Sequence, residues 1–485
     1  MERQGLTRRQ FIKSVGTGTL VGLAASMTLA GRAAGEPTLR ILQWRHFVPA
    51  YDEWLNKVFA PRWGEKNGVK VVVENVGLAE IPAIAAAEAS RVAAGQDPGH
   101  DMIQFLSPPA SFEPQAIDHA EIIQEVQKQV GKYIPLAEAS TRNPVTGKYF
   151  GFSDNFVPDP THYRSDLWQQ AAAKLSGFES VQPSGPDTWD DIRRAGRVLK
   201  GMGHPVGLGL SQEIDTNMFL RALMYSWGTA VQDPESNVII DVPPFREKTL
   251  DALKFVRALY KETMTDEIFT WTAASNNQGM LSGRISVALN AISISRTAQA
   301  TNPELSKKIE ITKAPAGPEA RRGLEHVMGV YLIWNTKNKT AIDNAKQFLI
   351  DLVLSYDPEK AKANDWGPGK FLASKFYDYP TFENAIPKEK RLQYLKNDEQ
   401  SKKIGDRPDK LFLIETAFDW ALNVGWPGPS NAAIDEVFNT YIIPSMFARV
   451  AKGEAQPEEA LNAAGKEIRR IFKKWREQGL VGGTK

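Results

Sequence analysis

The sequence predicts an α/β protein, and two observations carry that expectation. From Thr38 onward, short runs rich in valine and isoleucine alternate with longer stretches of helical spacing, the pattern of βαβ units and a mainly parallel sheet. The chain is 485 residues long, with no low-complexity tract and no repeat at a solenoid period, so it has the length of two or three ordinary domains.

Taken in order, Thr38 to Gln43 reads as a buried strand ending at Trp44-Arg45-His46-Phe47. Tyr51 to Lys66 places Trp54, Leu55, Val58, Phe59 and Trp63 on one helical face. Val69 to Val76 is a second strand, Ile81 to Ala94 an alanine-rich helix, and Asp101 to Leu106 a third strand closed by Ser107-Pro108-Pro109. Ligands of such sheets bind beyond the carboxyl ends of the strands, which directs attention to the residues after Gln43, Val76 and Phe105. Further strands are expected over Tyr149–Val157, Pro205–Leu210, Ile285–Asn290, Glu310–Ala314 and Val327–Ile333. Helices are expected over Ser165–Lys174, Thr188–Met202, Met218–Trp227, Pro244–Glu262, Asn276–Ser282 and Ala341–Leu354. The last hundred residues read as helical, broken at Gly425-Trp426-Pro427-Gly428-Pro429 and closed by Glu458–Gln478.

The amino terminus has a different character. Arg3, Arg8, Arg9 and Lys13 precede an uncharged run, Ser14 to Ala30, and then the small residues Ala33, Ala34 and Gly35. That order is the order of an export signal, and the run is too rich in Gly, Ala and Thr for a membrane span. Thr7-Arg8-Arg9-Gln10-Phe11-Ile12-Lys13 resembles the twin-arginine signal, which implies the twin-arginine translocase as a partner and a periplasmic, soluble product. Residues 1–35 carry five basic and one acidic side chain, so of the chain's net +2 the remainder holds −2. A near-neutral remainder with interspersed signs has no electrostatic footprint for nucleic acid.

There is no cysteine, which excludes disulfides, thiolate metal sites and a lipid anchor on cysteine. His46, His100, His119, His162, His204 and His326 show no ligand spacing, and no metal site is expected. Neither His-Glu-x-x-His, Gly-x-Ser-x-Gly nor a Gly-x-Gly-x-x-Gly after a strand occurs, so no cofactor is expected and enzyme chemistry is disfavoured. A paired-carboxylate glycosidase has no required spacing and stays open as an alternative.

Several segments together resemble a known family. Gly147-Lys148-Tyr149-Phe150-Gly151-Phe152 is followed by Tyr163-Arg164-Ser165-Asp166-Leu167-Trp168, then by Trp189-Asp190-Asp191-Ile192. Asn276 to Asn290 follows, with Ser282-Gly283-Arg284 between helix and strand, and Val450 to Leu461 closes the series. In this order they resemble the extracellular solute-binding proteins of ABC importers, most closely the carbohydrate-type branch. The resemblance implies a two-lobed periplasmic-binding-protein fold, with mixed sheets flanked by helices and three interlobe crossings. It also implies a monomer that closes on a small-molecule ligand and docks on an ABC permease. No phosphate-binding loop of the Gly-x-x-x-x-Gly-Lys-Ser/Thr type is present, so the ATPase is another subunit. The expected division is 1–35 as signal, 36–153 with 292–365 as the first lobe, and 154–291 with 366–485 as the second. The stretch from Asp357 to Arg407 is longer than the family pattern.

A sugar or polyol needs aromatic faces for its C–H groups and polar partners for its hydroxyls in a dry cleft. The expected ligand residues are Trp44, His46, Ser107, Asn155, Gln212, Asp215, Asn290, Ser293, Trp366 and Trp426. Trp54, Trp63 and Trp168 fit core positions better. Asp215 has an alternative role as the cap of the helix that follows it, Asn155 and Asp154 as hinge residues, and His326 as a structural histidine. A polyamine, a metal or a peptide is the alternative ligand on the same fold.

Overall fold

The computed structural model of the protein describes residues 37–484, and the expected export signal lies outside the described residues. Strand β1 (Thr38–Trp44) lies between β2 (Lys70–Val76) and β3 (Met102–Phe105), all parallel, with Ile41 aligned on Val73 and on Met102. Two long strands, β4 (Phe152–Pro158) and β8 (Gly323–Ile333), run antiparallel to each other, and β8 also pairs antiparallel with β3. Short strands β9 (Tyr379–Pro380) on β4 and β10 (Ala421–Leu422) on the start of β8 complete this first sheet. A second, antiparallel sheet holds β5 (Thr161–Arg164) between β6 (Val287–Leu289) and β7 (Ile309–Thr312). β8 is buried along its whole length, as a central strand of apolar residues should be, whereas β2 at the edge alternates between exposed and half-buried.

Each sheet has its own core. The first gathers residues 39–157 and 327–421. The second gathers residues 163–289 and 424–481, with Ile294, Ala298, Ile309 and Leu324. Trp54 and Trp63 are in the first core and Trp168 in the second. Helix Trp189–Gly201 shows how locally the elements are specified. The Thr188 hydroxyl accepts the Asp191 N–H at 3.0 Å, and the Asp191 carboxylate accepts the Thr188 N–H at 2.9 Å, a reciprocal cap.

The lobe boundaries differ from the expected ones in two places. β7 pairs with β5, so the chain stays with the second sheet through Thr312 rather than leaving it at 291. Trp366, Phe371, Phe376, Tyr379 and Phe382 pack in the first core, so the chain leaves that lobe after Leu422 rather than at 366. The reason is burial: the long segment places its aromatic rings against Phe59, Phe152 and Phe156, where a 3.6-residue pattern does not reveal them. Pro205–Leu210 is not a strand. Only Val206 bridges to Val287, and Gly207 packs so tightly that a Cβ there would stand 2.2 Å from Ile285 Cδ1.

The three crossings run side by side. Pro158, at the end of β4, is paired with Glu325, while Ala421 and Leu422 are paired with Gly323 and Leu324. One short ladder thus contains every passage between the lobes. Val424, just beyond it, is held from both sides. Its N–H donates to the Glu325 carboxylate at 3.1 Å, and its carbonyl accepts from Tyr225 at 2.7 Å and from Arg221 at 3.2 Å.

Candidate functional site

The carboxyl end of β1 carries Trp44, and His46 follows two residues later. Both are buried, with rings stacked 4.8 Å apart at 23°. His46 Nδ1 lies 2.9 Å from the Val48 nitrogen and 3.1 Å from the Val48 carbonyl oxygen, and Nε2 is 3.5 Å from Asp378 Oδ1. Asn155, on β4, donates to the same oxygen at 3.0 Å. Behind Asp378 lies Lys370, fully buried, 3.7 Å from Asp378 Oδ2 and hydrogen-bonded to Asp154. Burial works against the Asp378 anion, but Lys370 and His46 outweigh it and hold its pKa below the usual value. Tyr377 sits with its ring 4.9 Å from His46, edge-on. Its hydroxyl and Trp44 Nε1 are buried, and neither has a hydrogen-bond partner among the described residues.

The second lobe supplies a polar wall. Asp215 Oδ2 accepts from Asn276 at 2.7 Å and Asn290 at 3.3 Å. Asn290 also donates to Asn276 Oδ1 and Asn277 Oδ1, and accepts from the Ser293 hydroxyl at 3.3 Å. The cap of helix Ile214–Ser226 is not Asp215 but Glu213, whose carboxylate accepts the Asp215 N–H at 2.7 Å and the Thr216 N–H at 2.5 Å. Asp215 is thereby free to face the first lobe. Burial, then the neighbouring Glu213 charge, raise its pKa to about 8, against the pull of His326.

His326, on β8, joins the walls. Its Nδ1 is 3.3 Å from Asp159 Oδ1 in the first crossing, and its Nε2 is 3.6 Å from Asp215 Oδ1. Burial disfavours the charged ring, but Asp159, Asp215 and Glu213 outweigh it and raise the pKa to about 9. The ring lies between the Asp159 carboxyl of the hinge and the Asp215 carboxyl of the second lobe. Burial, then the charges of Asp378, Asp215 and Asp159, push the Tyr377 hydroxyl pKa well up.

The structure thus groups Trp44, His46 and Asn155 around Asp378 in the first lobe, and Asp215, Asn290 and Ser293 in the second. Ser107 is half-buried at the end of β3. Gln212 is exposed and donates to the Ser445 hydroxyl at 3.2 Å. Trp366 is elsewhere: its ring packs on Phe59 at 5.4 Å in the first core, and its carbonyl accepts from Trp54 Nε1 at 2.7 Å. Trp426 rests on Tyr225 at 5.1 Å, with the Arg322 guanidinium 4.5 Å from its ring. Tyr377, Asp378 and Lys370 were missed because they lie in short elements of the long segment, with no strand end to mark them. A concavity of about 630 Å³, lined by Phe382, Arg391, Phe412 and Phe418 among others, belongs to the first lobe alone and does not sense closure.

β8 approaches Asn155 closely at Gly329, where a Cβ would stand 2.2 Å from Asn155 Oδ1. Gly329→Ala is expected to push Asn155 off Asp378 and cost about 2 kcal/mol, the scale for overpacking a tight core. A lowered urea midpoint with an unchanged slope is the result to look for.

The family model for bacterial extracellular solute-binding proteins matches residues 49–375. No curated protein is similar enough in sequence to count as a relative. Among solved structures, maltose-bound MalE3 of T. maritima is similar over 90% of this chain and 99% of its own, at 17% identity and a TM-score of 0.66. A solute-binding protein of Thermotoga lettingae bound to α-D-tagatose is similar over the same shares, at 17% identity and 0.64. So is one from Agrobacterium radiobacter K84 in complex with ribitol, at 15% identity and 0.64. At these identities the likeness establishes the fold, and the family match extends across both cores. This two-lobed α/β chain with adjoining crossings belongs to the bacterial extracellular solute-binding proteins.

Proposed function

We propose that this protein captures a sugar or polyol between its lobes and delivers it to the permease of an ABC importer. Two groups of side chains, one in each lobe, support this reading. Trp44, His46 and Tyr377 offer ring surface from one lobe, and Asp215 with its asparagine cluster offers hydrogen-bonding groups from the other. Rings cover the C–H faces of a pyranose or an open polyol, and amides and carboxylates match paired hydroxyls. The ligands named for the similar structures, maltose, tagatose and ribitol, support the same class. The Thr7–Lys13 sequence supports export through the twin-arginine translocase. Among the described residues no group of three or more metal-ligating side chains is placed to hold an ion, and no helix is long and apolar enough to cross a membrane.

A melting-temperature panel of maltose, D-tagatose, ribitol, spermidine and zinc chloride tests the ligand class. A true ligand at a hundred times its Kd stabilises by about 2.7 kcal/mol. A shift with a sugar or polyol supports the proposal, and a shift with spermidine or zinc alone rejects it. Tyr377→Phe tests the site, because the deleted hydroxyl has no hydrogen-bond partner among the described residues. Stability is expected to hold while affinity falls about tenfold, the worth of one hydrogen bond. Unchanged affinity on titration calorimetry would remove Tyr377 from the site.

A further inference from the structure

The loop that carries Tyr377 and Asp378 into the site has an unusual backbone. Lys375 and Phe376, consecutive non-glycine residues, have φ of 51° and 68°. L residues avoid this left-handed region, and two in succession persist only where their surroundings hold them there. The holding contact comes from the second-lobe side. Arg296 lies on helix Ser293–Thr301, whose first residue touches Asn290 in the polar wall. Its Nε donates to the Lys375 carbonyl at 2.9 Å, and its guanidinium lies 5.1 Å from the Phe376 ring. Its Nη1 donates to Asp398 Oδ2 at 2.7 Å and to Gln299 Oε1 at 2.8 Å, and Gln299 in turn donates to the Ser401 hydroxyl at 3.0 Å. Arg296 and Asp398 are both buried.

We propose that Arg296 is a positioning residue for ligand binding: it fixes Lys375 and Phe376 in their left-handed conformation and so sets Tyr377 and Asp378 against the Asp215 wall. The role rests on the binding site proposed above. One helix then begins at the second-lobe wall and, a turn later, grips the loop that presents the first-lobe wall.

Arg296→Lys separates positioning from stability. A lysine keeps a charge opposite Asp398, but one ammonium cannot stack on Phe376 and also span Lys375 and Asp398 as a planar fork does. The readout is amide exchange in the protein without ligand. The N–H groups of Phe376, Tyr377 and Asp378 donate to Phe371 O, Ser374 O and Ser374 Oγ. In the folded variant, exchange at these amides is expected to be about tenfold faster with global stability near that of the wild type. Binding of whichever of maltose, D-tagatose and ribitol the wild type takes is expected to weaken by about tenfold as preorganisation is lost. If Arg296→Lys does not fold, the double variant Arg296→Met/Asp398→Leu removes both buried charges together, and the same changes are expected of it. Unchanged exchange at 376–378 in a folded variant overturns the proposal. If Tyr377→Phe weakens binding but Arg296→Lys does not, the site stands and the role of Arg296 falls. If neither variant alters binding, the site and this role fall together.

Discussion

Replacing Lys370 with methionine is expected to cost about 4 kcal/mol of stability at pH 7.5, the scale for breaking a buried ion pair. Lys370 has no exposed surface, and its ammonium faces Asp154, which has none either, and Asp378. The rings of Tyr51 and Tyr356 cover it at 5.0 and 5.5 Å. Methionine fills a similar volume, so the loss is electrostatic rather than a cavity. Burial opposes the ammonium, but Asp154 and Asp378 prevail and raise its pKa. Its contribution is therefore complete below the unfolded lysine value near 10.4 and is lost only above it. In the variant the sign belongs to the carboxylates. Two buried acids without a cation have raised native pKa values, so their penalty starts above about pH 4 and grows as pH rises. Urea unfolding should show wild type and variant close together at pH 4 and far apart at pH 7.5. Adding Asp154→Asn and Asp378→Asn should recover much of the loss, since no buried charge then lacks a partner. A constant gap across this range would mean that the effect is packing.

His326→Gln is expected to lose about 3 kcal/mol at pH 6, because the buried Asp159 carboxylate, 3.3 Å from the ring, loses its cation. The native pKa of about 9 lies above the unfolded histidine value near 6.5. The stability that His326 adds is thus complete below 6.5 and disappears as pH rises through 9. The difference between wild type and variant should be largest near pH 6 and close toward pH 10. Asp215, raised to about 8, adds a decline of its own in both proteins, since a carboxyl with a raised native pKa destabilises the fold as pH climbs from about 4 to 8. The His326 contribution is therefore read from the gap between the two curves. Thermal unfolding across this range, with histidine Cε1 chemical shifts followed in parallel, checks both the size and the window. A gap independent of pH would show that His326 is neutral in the native protein.

The residues explain why part of this was legible in the sequence. Trp44 and His46 follow the first strand, and Asn290 and Ser293 follow β6, so a strand end followed by polar or aromatic residues marked them. Asp215 sits after a segment that reads as a strand and is not one, yet the turn into helix Ile214–Ser226 falls at the same place. Trp366 followed the opposite logic. A tryptophan beside Gly367-Pro368-Gly369 resembles an exposed aromatic on a turn, but its ring fills a gap against Phe59, which no local pattern encodes. The long segment hid most. Its helices, such as Lys370–Ala373 and Glu399–Lys403, are too short for periodicity to appear. Lys370, Tyr377 and Asp378 acquire their meaning only from partners far away in the chain, Asp154, Asn155 and His46.

The ladder at the hinge has a mechanical corollary. Three connectors bonded edge to edge behave as one stiff strap, so the lobes are left with a single soft motion, a swing about that strap. For a solute held as proposed, the strap fixes the axis of the swing, and the angle at which the swing ends reports closure. A membrane partner that senses this angle registers that something is held. It learns little of what is held, and selectivity must already have been exercised by the walls before the swing was complete.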